Sequence, residues 1–242
     1  MKGRMALIVA TVLLAIAVTI SISVSASKKR TVPKPLQGAT IVFVHRTVFG
    51  DKLEVTSVAV RYISEDGRWR EIRSYPSLSQ PTATQEITIS DSRGVFQLGD
   101  HKATVLGHSW KSAGASRPAY NSPTFLRQSP SFRREGTVLD YQTYVWQVTE
   151  PDRQGYYEEV EFAAELGSLP IRSTIRDSSG AVVDEEVAML VTPGNPPEKA
   201  VGGPAPEAKL DFSALDRKVA EQEKRGMDAT ALKELKQRLS TR

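Results

Sequence analysis

Between Gly136 and Val191 the chain repeats one pattern. Four runs rich in Val, Ile, Tyr, Phe and Trp are separated by PDRQG, ELGSLP and DSSG. β-Branched and aromatic runs bounded by Gly, Pro, Asp and Ser read as strands and turns. The stretch is therefore expected to form four consecutive antiparallel strands. Val160 and Phe162 alternate with Glu159 and Glu161, and Ile171, Ser173 and Ile175 alternate with Arg172, Thr174 and Arg176. This period of two predicts one packed and one wet face, with the opposed charges pairing across strands on the wet side to set register. Val183, Val187, Met189 and Val191 oppose Asp184 and Glu186, while Glu185 falls out of the pattern. Tyr144, Trp146 and Phe162 are expected as core or lining residues.

The same rhythm starts earlier. ATIVFVHRT (39–47) and KLEVTSVAVRY (52–62) bracket Gly50-Asp51, a hairpin turn. Leu53 and Val55 share one phase, and Val58, Val60 and Tyr62 share the other. One extra residue re-aims a strand in this way, so a bulge is expected near Thr56 and Ser57. Asp66-Gly67 turns the chain into RWREIRSY (68–75), and short strands follow at 85–90, 94–98 and 102–106. The fold class is mainly β: a curved antiparallel sheet or half-barrel meander over 39–191, with an N-terminal apolar helix and a C-terminal α-helical hairpin.

The two ends differ from this body. Met5 to Val24 carries no charge and follows Lys2 and Arg4. A spanning helix takes about 20 apolar residues and a secretory leader core about 7–15. Residues 1–26 thus read as a signal peptide, cleaved between Ala26 and Ser27, or as an anchor holding the membrane through residues 5–24. Either way the expected location is exported: the periplasm, or the extracytoplasmic face of the inner membrane. Residues 27–38 form a spacer, and 192–209 a Pro/Gly linker. In 210–242, Asp211 or Ser213 caps a helix that Gly226 stops, and Asp228 starts a second. Phe212, Leu215 and Val219, then Leu232, Leu235 and Leu239, recur at helical spacing. An isolated helical hairpin of this size is marginal, so it is expected to dock on the sheet or on a protein partner.

Chemistry is sparse. The absence of cysteine excludes disulfides, thiolate metal sites and cysteine nucleophiles. The formal charge is +4, of which Lys2 and Arg4 supply two, leaving +2 for the rest. That is no nucleic-acid footprint, and no nucleic-acid partner is expected. His45, His101 and His108 do not cluster as metal ligands. His45 shares the phase of Phe43 and Ile41 and reads as a partly buried strand residue. No metal, cofactor or catalytic residue is expected, and no nucleophile, base and orienter can be assembled from spacing. A hydrolase reading rests only on the acids Glu150, Asp152, Glu158, Glu159 and Glu161.

Residues 107–135 break the strand rhythm with a long loop, a length commonly functional or disordered. Here basic and aromatic residues interleave. The candidate binding residues are Trp110, Arg117, Tyr120, Phe125, Arg127, Phe132, Arg133 and Arg134. In an exported protein this composition fits an anionic lipid headgroup, an acidic polysaccharide or a protein partner. The alternative is a solvated loop whose aromatics tuck against the sheet. Within it, TFLRQ (124–128) is expected to form one helical turn over a sheet edge.

Arg61, Tyr62, Asp66 and Gly67 are followed by IxDxRGV (89–95), YQTYV (141–145), AxELGxLP (163–170) and RDxxGxV (176–182). This order resembles exported bacterial proteins built on an outer-membrane lipoprotein-carrier-like or RseB-like β-sheet. The resemblance covers about half of the chain. It implies a curved half-barrel whose concave face holds acyl chains or a peptide. The expected function is thus a non-enzymatic binding or sensing module with a lipid-like or peptide ligand. The alternative is a membrane-anchored scaffold docking a partner through residues 210–242.

Overall fold

A computed structural model describes residues 38–76, 84–99, 102–108, 123–202 and 208–241. The leader, its Ala26–Ser27 junction, residues 27–37, His101, Trp110, Arg117 and Tyr120 lie outside the described residues. Among the described residues, twelve strands form one open sheet. They are β1 (Gly38–Phe49), β2 (Lys52–Ser64), β3 (Trp69–Tyr75), β4 (Thr84–Ser90), β5 (Val95–Leu98), β6 (Lys102–Gly107), β7 (Phe132–Val138), β8 (Tyr141–Gln147), β9 (Tyr157–Ala163), β10 (Leu169–Arg176), β11 (Val182–Pro193) and β12 (Lys209–Asp211). Helices α1 (Pro123–Gln128), α2 (Ser213–Lys224) and α3 (Thr230–Ser240) complete the fold, with short 3₁₀ turns at Ala164–Leu166 and Glu198–Ala200.

The spatial order is β12, β6, β5, β4, β3, β2, β1, β11, β10, β9, β8, β7. Two meanders, β1 to β6 and β7 to β11, are joined because β1 pairs along its length with β11. Every neighbouring pair is antiparallel except β12 and β6, which run parallel. No sequence signal marks β12, whose three residues straddle the end of the linker expected over 192–209 and the start of the hairpin expected over 210–242.

The expected hairpin at Gly50 and the turn at Gly67 are both present, the latter closed by the Gly67 amide on the Ser64 carbonyl at 2.9 Å. The stretch from Gly136 to Val191 departs from four strands, because its first run is two. Leu139 and Asp140 turn β7 into β8, with Leu139 at φ 51°. Leucine rarely takes this left-handed region, so the turn lacked the Gly or Asn that announces one. It also accounts for the polar Asp140 and Gln142 inside an otherwise apolar run, one in the turn and the other exposed beside it. TFLRQ forms α1, which packs on β7 and β8.

Two roofs cover opposite ends of the sheet. At one end Leu126 of α1 buries itself with Tyr144 and Ala164 against Phe132, Trp146 and Phe162. The Trp146 indole donates to the Leu126 carbonyl at 2.9 Å. At the other end α2 and α3 lay Leu215, Leu235 and Leu239 on Ile89, Phe96, Ala103 and Val105. Asp211 and Asp228 each accept an amide two residues on, from Ser213 at 3.0 Å and Thr230 at 2.9 Å. The Ser213 amide and the Lys102 ammonium push the Asp211 carboxyl down to about 2. Gly226, at φ 70°, ends α2 in the conformation that glycine adopts without steric cost. Of the two docking partners expected for the hairpin, the sheet is the one observed. Between the roofs a central core gathers Ala39, Ile41, Phe43, Ala59, Ile63, Leu166, Leu169 and Ile171.

Leu235 of α3 is fully buried against the sheet. Leu235→Ala should lower unfolding stability by about 2–5 kcal/mol in chemical denaturation, the usual cost of a cavity left by a buried leucine.

Candidate binding face

Residues directly opposed in neighbouring strands share a face of the sheet. Followed strand by strand, Leu210, Ala103, Leu98, Ile87, Ile72, Val60, Val42 and Leu190 form one unbroken apolar row across β12, β6, β5, β4, β3, β2, β1 and β11. The C-terminal hairpin roofs this row as far as Ile87. Beyond it Ile72, Val60 and Val42 are half-buried and Leu190 is 39% exposed. Val58 and Val44 oppose one another in the next row, and Val44 opposes Val187.

The expected bulge enlarges this face. Val44 faces Val58, His45 faces Ser57 and Arg46 faces Val55, so Thr56 is the extra residue. Leu53 faces Val48 in turn. The phase switch therefore leaves Leu53 and Val55 on the same face as Val58, Val60 and Tyr62, where plain alternation would have separated them. Leu53 is 38% and Val55 52% exposed. The result is a half-open apolar surface over β1, β2 and β11, a type of patch that marks an interaction site when contiguous.

Toward β7 the same face becomes ionic. The row through Val44 and Val187 continues to Arg172, Glu161, Val145 and Arg134. Arg172 donates to Glu185 at 2.5 and 2.8 Å and to Glu161 at 3.5 Å. Thr143 donates its hydroxyl to Glu161 at 2.6 Å. Glu159 takes a two-pronged contact from Arg134 at 2.7 and 2.8 Å and another from Arg176 at 2.8 Å. A Cβ on Gly136 would stand 2.9 Å from both the Glu161 carboxylate and the Thr143 hydroxyl, so glycine is needed for β7 to lie over this pair. The cross-strand pairs expected for these charges form, but not on a wet face. Glu159, Glu161 and Glu185 are all buried, a floor beneath more exposed arginines. Hydrogen bonding by Arg134 holds the Glu159 carboxyl below the usual carboxylate range, against the upward push of burial and with Arg176 assisting. Held ionised in this way, Glu159 is suited to accept hydrogen bonds and not to act as the general acid of a hydrolase.

Glu185 and Glu186 are consecutive in β11 and so point to opposite faces. On the other face Glu186 accepts from Arg61 at 3.1 Å and also pairs with Arg73. Glu71 joins both arginines, and the Arg61 guanidinium lies 4.5 Å above the Phe43 ring. Burial pushes the Glu71 carboxyl up, but Arg61 and Arg73 more than offset it and hold it below the ordinary range. His45 is partly buried as expected, with Nε2 at 2.7 Å from Asp184 and Nδ1 at 3.1 Å from the Thr56 hydroxyl. A hydroxyl, imidazole and carboxylate thus do assemble, which spacing did not reveal because Asp184 lies 139 residues from His45. The Thr56 hydroxyl also reaches the His45 carbonyl at 3.3 Å, so the group closes the bulge.

The described members of the basic aromatic loop stand around α1 and β7. Phe125 is 42% exposed, its ring 6.4 Å from Trp146, and Phe132 packs in the α1 cluster. Arg127 donates to Glu135 at 2.6 Å and lies 5.4 Å above the Tyr144 ring. Arg133 is the extra residue of a bulge and bonds Gln147 at 3.1 Å and the Pro130 carbonyl at 2.9 Å. Arg134 is paired with Glu159 on the other face of the strand from Phe132. These described residues are thus divided between two faces. His108 bonds the Ala231 carbonyl at 2.8 Å, tying the loop start to α3. Among the described residues no helix is long and apolar enough to cross a membrane.

No protein-family model and no curated protein matches the chain. Alignments with solved structures are found at low identity, with TM-scores of 0.44 and below. A conserved protein of Thermus thermophilus aligns at 10% identity and TM-score 0.44, over 73% of this chain and 90% of that one. MucB in its complex with MucA, from Pseudomonas aeruginosa, aligns at 17% identity and TM-score 0.40, over 72% and 58%. The chain therefore spans under three-fifths of MucB. A LolA superfamily protein of Nitrosomonas europaea aligns at 11% identity and TM-score 0.32, over 70% and 92%.

Two outcomes test the ionic floor. Arg172→Leu strips a cation shared by two buried carboxylates and should cost about 3–5 kcal/mol in denaturation. Glu71 and Glu159 have folded values below their unfolded ones. Their contribution is then full above the ordinary glutamate value of about 4.3 and is lost as pH falls through the lower folded values. Stability followed from pH 6 to pH 2 should fall across that window, with a shallower slope in Glu159→Gln.

Proposed function

We propose that the chain is an exported, non-enzymatic binding module that holds a lipid-like or peptide ligand on the half-open face of β1, β2, β3 and β11. One observation carries this reading. The apolar row roofed by the C-terminal hairpin runs on without a break into Ile72, Val60, Val42 and Leu190, where the hairpin no longer covers it. A ligand there would continue the packing that Leu215, Leu235 and Leu239 begin. The leader reaches this location by export or holds the membrane through residues 5–24. The loop over 107–135 would act as a flap or as a contact for anionic groups. The scaffold alternative relied on the hairpin leucines for partner docking, and those leucines are occupied by the sheet.

The full chain should bind the neutral apolar probe N-phenyl-1-naphthylamine, and extraction of the purified protein should release a lipid or peptide detectable by mass spectrometry. Leu53→Glu and Val55→Glu place a charge on exposed positions, where folding cost is usually within about 0.5 kcal/mol. Each should weaken probe binding about tenfold with unfolding unchanged. A folded protein that ignores the probe, or binds it equally in both variants, would overturn the reading.

A further inference from the structure

β3 alternates cleanly. Trp69, Glu71 and Arg73 point to the face of the Glu186 network, so Arg70 and Ile72 point to the apolar face. Arg70 stands directly opposite Tyr62 on one side and Ile89 on the other. It thus sits where the hairpin-roofed half of the face meets the open half. The arginines of the ionic floor, Arg46, Arg134, Arg172 and Arg176, all have carboxylate partners. Arg70 does not. The residue as a whole is half-buried, but its Nε is buried and meets no hydrogen-bond acceptor, and among the described residues no ion pair includes it.

A buried donor on a charged group is costly when left unmade, and such an orphan calls for a ligand or ion that completes it. A guanidinium offers adjacent N–H groups in a planar fork that match a carboxylate or phosphate. Ile72 is next to Arg70 on the same face, and Val60 and Val42 follow it across β2 and β1. A molecule that satisfied the guanidinium would therefore extend its remaining length over aliphatic side chains.

Resting on the binding-face reading above, we infer that Arg70 is an anion anchor, and that the ligand is an amphiphile with an acidic head on Arg70 and an acyl chain along Ile72, Val60, Val42 and Leu190. Charge complementarity selects this occupant over a neutral lipid, which would leave the guanidinium without a counter-charge. It also selects it over a simple anion, which would leave the valines uncovered.

The test compares oleate, oleyl alcohol of the same chain length, and acetate, by calorimetric titration of the full chain below the micellar concentration. The expected result is oleate binding about tenfold to a hundredfold tighter than oleyl alcohol, with acetate far weaker than either. Arg70→Met should bring oleate to the level of oleyl alcohol, leave oleyl alcohol unchanged and leave thermal unfolding unchanged or raised, since no partner within the protein loses its bond. Arg70→Lys should restore part of the preference. Equal binding of oleate and oleyl alcohol would overturn the anchor while leaving the apolar face in place. Acetate binding as tightly as oleate, or strong destabilisation by Arg70→Met, would overturn it in favour of an ion site or a structural role. Failure of both oleyl compounds to bind would sink the face and the anchor together.

Discussion

The antiparallel pairing of β1 with β11 is the contact on which the rest of the sheet depends. It brings residues 39–47 against 184–193, the long-range closure that costs most in chain entropy. Without it the chain would hold two separate meanders, each with an additional bare edge. With it the strand period of two runs coherently from β12 to β7, and side chains far apart in sequence fall into common rows. The two roofs then lie on opposite faces: the C-terminal hairpin on the Ile87 face at one end, and α1 on the Tyr144 face at the other. Neither roof covers the Ile87 face beyond β4, and the candidate binding surface is the apolar part of that remainder.

The ionic networks serve specificity more than stability. Buried ion pairs recover little more than the desolvation they cost, yet removing one partner is strongly unfavourable. Glu185 and Glu186, adjacent in β11, commit to arginines on opposite faces. A slip of one residue would exchange them and leave Arg172 and the pair Arg61 and Arg73 facing the wrong carboxylate. The charges therefore lock the register that the apolar rows require. Arg70 stands apart because no such lock includes it.

Much of the fold was legible because its punctuation is local. Gly50, Gly67 and Gly226 mark turns, Asp211 and Asp228 mark helix starts, and the phase switch around Thr56 marks a bulge. The rest was not, for physical reasons. The Leu139 turn uses a left-handed leucine, for which no sequence rule looks. The short β12 is strand only because β6 is beside it. Glutamates on alternate positions read as wet because a single strand cannot show that Arg134 and Arg172 arrive from elsewhere to neutralise them. The candidate site was the least legible part. The described basic and aromatic residues of the loop divide between two faces, whereas the apolar row becomes visible only after eight strands are set in register.

The bulge at Arg133 has a consequence for the molecule's behaviour in a crowd. Among the described residues β7 is one edge of an open sheet, and a free edge is a template on which another chain can add a strand. Inserting Arg133 breaks the regular ladder there, and Arg133, Arg134 and Glu135 place three consecutive charges along the edge. At the far side the last strand is only three residues long and starts at the exposed Lys209. Both ends of the sheet are thereby made poor partners for self-association, which lets a twelve-stranded sheet expose an apolar face without growing by its edges.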